Sequence, residues 1–217
     1  MTLTSRPSFC NDCKMDPRAQ RTVDALLDAA ERLFGEKALA DVTVEEIATG
    51  AGVAVGSIYN HFGSKAGLHA ALVERALVAD RAHMDRAYVE GRSPVDQIRA
   101  AAIEYMNFAL EQPEHFRMLA FPPDPGRYPA GLRTAEVLAQ RVAEQNDRLV
   151  AAIRAGVATG ELRPVDAERT ATALWAAWNG IISLAWRPDG LRHAPDELRR
   201  LLGVAVDLVE NGLLARA

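Results

Sequence analysis

The sequence predicts an all-α chain of about nine helices, and three observations lead there. Nearly every segment repeats its apolar residues at helical spacing. None alternates apolar and polar residues over a strand length. The breaks between segments fall at glycine, proline and capping residues.

Taken in order, Val23, Leu26, Leu27, Ala30, Leu33 and Phe34 form one apolar stripe on a first helix of about 18 residues. Thr43 precedes Val44, Glu45 and Glu46, so its hydroxyl can cap a second helix while Glu46 closes a capping box. Val44, Ile47 and Ala48 then point inward, and Gly50-Ala51-Gly52 ends that helix. A third helix is expected over Ala54 to Asn60, with Ile58 and Phe62 facing the core. Ser64 can cap a fourth, which runs past Leu68, Leu72 and Ala76 towards Tyr88. Gly91-Arg92-Ser93-Pro94 interrupts the chain before a helix with Ile98, Ala102, Tyr105 and Ala109 that ends near Pro113. A short helix over 114–121 and a long break over 122–131 follow. The next helix carries Leu138, Val142, Leu149, Ile153 and Val157 and ends around Gly160. Pro164 and Asp166 introduce an alanine- and tryptophan-rich helix over Ala167 to Trp186. The last helix carries Leu198, Leu201, Leu202, Ala205, Leu208 and Val209.

Composition narrows the function. Apolar residues make up 49% of 217, enough for a substantial core, and no apolar run approaches a bilayer span. The first residues lack the apolar stretch of a signal peptide, so a soluble, cytoplasmic protein without membrane contact is expected. Net charge is −4, and residues 1–69 hold seven Lys/Arg against nine Asp/Glu. Any nucleic-acid reader here must rely on a few placed contacts rather than on a basic coat. Cys10 and Cys13 form a CxxC in a polar tail with neither a second CxxC nor a nearby histidine. Four ligands for a metal are not at hand, so no metal or cofactor is expected. The pair reads as two reactive thiols in a disordered tail, with a bridged dimer as the alternative.

The stretch Thr43 to Leu68 carries the most specific chemistry. Two short helices joined by a glycine turn suit a helix-turn-helix, in which one helix braces on the backbone and the next enters the major groove. Gly56 and Ser57 permit close approach. Ser57 can reach a base edge or a phosphate, and Val55 a thymine methyl. Tyr59 and His61 would face phosphates while Ile58 and Phe62 fill the core. Lys65, just inside the fourth helix, adds charge at a helix amino end, as Thr43 does at the second. Arg18 and Arg21 are either surface charges or contacts to phosphate or the adjacent groove.

The segment from Arg18 to Leu68 resembles the N-terminal domain of the TetR family of one-component transcriptional regulators. The resemblance rests on ALLDAAERLF, on T-V-x-x-I-A-x-x-A-G-V from Thr43, and on G-S-I-Y-x-H-F-x-S-K-x-x-L from Gly56. It implies a reading helix over Ala54 to Phe62, with Val55, Ser57, Tyr59, Asn60 and His61 on or near its DNA face. It implies phosphate contacts at Thr43 and Lys65, and a core of Ile47, Ala48, Val53, Ile58 and Phe62. Departures from the family pattern are Ala38-Leu39 for a glycine-aromatic pair, Ala54 for a capping Ser or Thr, Val55 for a polar or basic residue, and Gly67 for an acidic one. The apolar tip Ala54-Val55 removes hydrogen bonds that would have pointed to an operator sequence.

The domain plan expected is a disordered tail over 1–17, a helix-turn-helix DNA-binding domain over 18–65, and a ligand-binding and dimerisation domain over 66–217. One reading head covers one half-site, so a palindrome needs a homodimer. Leu174, Trp175, Trp178, Ile181, Ile182, Leu184 and Trp186 do not fit one stripe, which marks a helix buried on several sides. The resemblance implies pairing of the last two helices with those of a second copy, and a pocket for a small-molecule effector. Tyr105, Met106, Phe108, Phe116, Met118, Phe121, Trp175 and Trp178 are candidate lining residues, with Asn146 and Asn179 as polar handles. The amide of Asn179 requires a partner across the dimer, a backbone carbonyl or a ligand. Few charges lie on 167–186, which disfavours a strongly ionic ligand there, while Arg117 and Arg141 keep an anionic one open. In this family effector binding usually releases DNA.

Two other classes compete. An enzyme is disfavoured, because HExxH, phosphate-loop, GxSxG and clustered Cys/His patterns are missing from the sequence. A helical binding or adaptor protein that keeps the fold without sequence-specific DNA binding is supported by the acidic first 69 residues and the apolar tip.

Overall fold

A computed structural model describes residues 16–37, 41–122 and 132–214. Nine α-helices lie among the described residues: α1 (Pro17–Glu36), α2 (Val44–Ala51), α3 (Gly56–Phe62), α4 (Lys65–Ala87), α5 (Pro94–Glu111), α6 (Pro113–Ala120), α7 (Leu132–Thr159), α8 (Ala167–Ser183) and α9 (Pro195–Leu213). The extended pairing among these residues is one isolated antiparallel bridge, Leu162 with Leu214. The chain divides into two compact units between Ser64 and Lys65. The expectations for Cys10, Cys13, Ala38-Leu39 and nearly all of the break over 122–131 lie outside the described residues.

The first unit is a three-helix cluster in which α2 and α3 both pack on α1. Asp16 caps α1 by accepting the Arg18 N–H at 2.9 Å, so the helix starts at Pro17, where a proline lacks a donor to lose. Leu26, Leu27, Ala29, Ala30, Val42, Ile47, Ala48 and Ile58 are its buried apolar residues. At the head of α2 the capping box is complete. The Glu46 N–H donates to Thr43 Oγ1 at 3.1 Å, and the Thr43 N–H donates to Glu46 Oε2 at 2.9 Å. Gly52 ends α2 in the left-handed region at φ 67°, which a side chain would strain.

Thr43→Ala is expected to cost the first unit about 1 kcal/mol, read as a lowered urea midpoint. The Lys37 ammonium and the Thr43 N–H hold the Glu46 carboxyl down at about 2. Its contribution is therefore complete above the ordinary value of 4.5 and disappears as pH falls through about 2.

Two helices differ from the sequence reading, and the third helix runs on to Phe62 rather than ending at Asn60. The third helix starts at Gly56 rather than Ala54, because Val55 is its N-cap and offers no side-chain acceptor. The eighth ends at Ser183, and Leu184–Trp186 tightens into a 3₁₀ turn ahead of Pro188.

In the second unit α5 is the central element, packed against α4, α6, α7, α8 and α9. Ser93 caps it by accepting the Asp96 N–H at 3.2 Å, with Pro94 at the first turn. Its Ala101, Ala102, Met106, Phe108 and Ala109 are buried, and around them lie Phe116, Leu138, Leu149, Ile153, Leu174, Trp178, Ile182 and Leu198. Close passage is required at Gly156 of α7, where a Cβ would come within 2.8 Å of the Leu162 side chain and 3.3 Å of Pro94 Cβ.

Candidate nucleic-acid interface and internal cavity

The third helix presents a continuous exposed edge. Ile58 is its buried residue and Phe62 is half-buried, while Tyr59, Asn60 and His61 are exposed and Ser57 and Val55 are partly so. Tyr59 keeps 53% of its surface open, so it is not part of the core. Gly63 follows at φ 73° and its N–H donates to the Tyr59 carbonyl at 3.0 Å. His61 sits in the last turn, edge-on to Phe62 with ring centroids 6.3 Å apart. Arg18 and Arg21 are exposed on the first turns of α1. Thr43 is exposed, but its hydroxyl is engaged, donating to Glu46 Oε2 at 3.2 Å. A phosphate at that position would have to compete with the carboxylate. Lys65 is the first residue of α4 in the second unit.

One electrostatic signal was missed from the sequence. From Ile47 to Val73 there is no aspartate or glutamate. The net acidity of residues 1–69 is thus confined to the segments before Ile47, and the exposed edge of α3 carries no local negative charge.

The second unit encloses a cavity of about 60 Å³ between α4, α5, α6, α7 and α8. Of the residues singled out for a pocket, Tyr105, Phe108, Phe116, Asn146, Trp175 and Trp178 line it. Four do not. Met106 is buried in the core away from the cavity, Met118 packs against the core, and Phe121 is exposed at the end of α6, edge-on to Trp186. Asn179 stands one layer behind the wall. Its Nδ2 donates to the Trp175 carbonyl at 3.1 Å, and its Oδ1 accepts the Tyr105 hydroxyl at 3.1 Å. Of the partners open to that amide, a backbone carbonyl is the one realised on the donor side. The Tyr105 hydroxyl also accepts the Trp175 Nε1–H at 3.1 Å, so one short chain of hydrogen bonds fixes two wall aromatics. Burial holds the Tyr105 phenol well above its ordinary value, so it stays neutral.

The wall also contains residues that the sequence reading passed over: Leu77, Asp80 and Met84 from α4, Tyr88 just past its end, and Gln145 from α7. Leu72, Ala76, Asp80, Met84 and Ala87 recur at core spacing along α4, and all are buried. That placed a carboxylate in the apolar stripe, a signal legible in the sequence. Arg117 and Arg141 do not reach the cavity; they are exposed and pair with Glu114 and Glu144 on their own helices. No group of three or more His, Cys, Asp or Glu able to hold a metal occurs among the described residues. No described helix is long and apolar enough to cross a membrane.

Comparison with known proteins agrees with this architecture. The family model described as bacterial regulatory proteins, tetR family, matches residues 26–72. The one described as tetracyclin repressor-like, C-terminal domain, matches residues 98–209. Both describe regulatory proteins and neither describes an enzyme. The HTH-type transcriptional regulator TtgR of Pseudomonas putida is 32% identical over 174 residues, which is 76% of this chain and 80% of that protein. The probable regulator ArpR of Pseudomonas putida is 30% identical over 173 residues, again 76% of this chain and 80% of the relative. Among solved structures, a TetR-family regulator from Agrobacterium tumefaciens shares the fold with a TM-score of 0.71 at 20% identity, over 91% of this chain and 100% of that one. PfmR of Thermus thermophilus does so with a TM-score of 0.69 at 22% identity, over 84% and 97%. With both of its units matched in this way, the chain belongs to the TetR family of bacterial transcriptional regulators.

Proposed function

We propose that the protein is a repressor that binds a palindromic operator as a homodimer and is released by a small, largely apolar or aromatic effector. The observation that carries this reading is the presence in one chain of an exposed, acid-free reading helix and, in a separate unit, an enclosed aromatic cavity. In the head, Val55, Ser57, Tyr59, Asn60 and His61 serve the operator, with Thr43, Lys65, Arg18 and Arg21 on the phosphates. Support for the dimer comes from the outer faces of the last two helices. There α8 exposes Ala173, Ala176, Ala177 and Gly180, and α9 exposes Val204 and Leu208 at 57% and 70%. Apolar and small residues left open on adjacent helices suit a second copy of the same pair.

Release follows from α4. Its first residue is Lys65, while Leu77, Asp80 and Met84 on the same helix line the cavity. About 60 Å³ is far below the several hundred Å³ a drug-sized ligand fills, so a ligand must push the walls apart. Widening favours an arrangement of α4 other than the DNA-bound one, and the effector shifts the population by its preference for that arrangement. SmeT, whose fold this chain shares with a TM-score of 0.72 at 23% identity, has been solved as a complex with triclosan, a precedent for such a ligand in this fold.

The test is a gel-shift series with the DNA flanking the protein's own gene at rising salt. Affinity is expected to fall steeply with salt, and Tyr59→Phe and Lys65→Ala to weaken binding about equally on all sequences bound. Unchanged affinity in those variants would remove their phosphate roles, and no retarded species at low salt would leave the adaptor reading in place.

A further inference from the structure

The cavity wall is aromatic and aliphatic except at three places: Gln145, Asn146 and the carboxylate of Asp80. Asp80 is only 8% exposed. Among the described residues no group donates a hydrogen bond to its carboxylate. Arg148 is the nearby cation that could satisfy it, but that guanidinium is engaged elsewhere. It donates to Asp85 Oδ1 at 2.9 Å and to Gln145 Oε1 at 3.3 Å, and it lies 4.6 Å over the Tyr88 ring. A carboxylate in such surroundings is costly unless it is protonated or meets a cation. The rings beside it, Tyr88, Tyr105, Phe108, Phe116, Trp175 and Trp178, offer π-faces that favour positive charge.

We infer that the cavity selects an organic ammonium ion with an aromatic body, its nitrogen on the Asp80 carboxylate and its rings among Phe108, Phe116, Trp175 and Trp178. This rests on the proposal that the cavity is the effector site, and it names the class of effector. It also turns against the anionic ligand that Arg117 and Arg141 had kept open, since neither arginine lines the cavity and Asp80 does.

The charge on Asp80 is conditional. Burial pushes its carboxyl up to about 6, with Arg148 and Arg81 working against the rise. The charged and titratable groups around it are Arg81 on α4, Tyr88 just past its end, Tyr105 on α5 and Arg148 on α7. From α6 and α8 the wall receives Phe116, Leu119, Ala120, Trp175 and Trp178, none of which titrates. An ammonium ligand needs the ionised carboxylate. Its affinity should therefore be nearly complete about one unit above pH 6, about halved at pH 6 and about tenfold weaker one unit below it, with the proton on Asp80 released on binding at the lower pH.

The test is calorimetry on the full chain with a matched pair of probes, 1-naphthylmethylammonium and the neutral 1-naphthylmethanol. At pH 7.5 wild type is expected to prefer the ammonium by about tenfold or more. At pH 5 that preference should shrink, and in Asp80→Asn the two probes should bind alike. If wild type binds the alcohol as tightly as the ammonium, the cavity remains an effector site and the ammonium inference falls. An ammonium preference that survives in Asp80→Asn also overturns it. If neither probe binds at millimolar concentration, the cavity reading falls with it.

Discussion

Ile58→Ala is expected to abolish operator binding while leaving ligand binding in the second unit intact. Ile58 is the buried residue of α3 and is fully enclosed. The helix spans seven residues and has no side-chain cap at its start, so it cannot hold itself together. Its position depends on what Ile58 and half-buried Phe62 grip in the cluster around Leu26, Ala30, Ile47 and Ala48. Removing the buried side chain costs about 2–5 kcal/mol. A head of this size has little stability to spare. Where that cost exceeds the stability of the head, α3 is no longer held in place and operator binding is lost. Gel shift and urea unfolding check the two halves of the expectation. Ile58→Val, which keeps most of the side chain, should retain binding. Full affinity in Ile58→Ala would mean that α3 is not the reader.

Phe116→Ala is expected to cost the second unit about 3–5 kcal/mol and lower its melting temperature by about 10 °C or more. Phe116 is fully buried, with Tyr105, Phe108 and Trp186 at ring-centroid distances of 5.0, 5.9 and 5.8 Å. Phe121 lies 6.3 Å away on the outer side. Four aromatic neighbours thus lose a common partner. The space cannot close by collapse of flexible chains, because rings are stiff and Tyr105 is tied to Trp175 and Asn179. Differential scanning calorimetry reads the loss. A shift below about 2 °C would show that the neighbouring rings refill the site.

The start of α2 was legible in the sequence because its cause is local. A threonine and a glutamate three apart, ahead of an apolar pair, specify both hydrogen bonds of a capping box. The start of α3 was not, because no side chain caps it: Val55 leaves the boundary to tertiary packing, and Ala54 falls outside the helix. The end of α8 was blurred for a related reason. Its apolar run continues through Trp186, but the backbone tightens after Ser183 without any change in composition. For the cavity, aromatic clustering pointed to Tyr105, Phe108, Phe116, Trp175 and Trp178, since large rings fill the centre of a helical unit. The same logic included Met106, Met118 and Phe121, because apolar character does not say which side of a wall a residue occupies. Asp80 was missed because the fourth helix was traced by its apolar positions Leu68, Leu72 and Ala76, and the next position in that series is polar. Polar residues at core spacing carry more information about a site than the aromatics around them.

The charge layout of the head bears on how this regulator spends its time. Long-range attraction to DNA grows with the number of phosphates a protein neutralises. Here the acid-free span from Ile47 to Val73 holds one lysine and two histidines, on a chain of net charge −4. On the proposed reading, such a molecule would have little hold on bulk chromosome, and few copies would be sequestered at irrelevant sites. One displaced from its operator by effector would then be slow to be recaptured by flanking DNA, which would sharpen the off-switch at the expense of the search back.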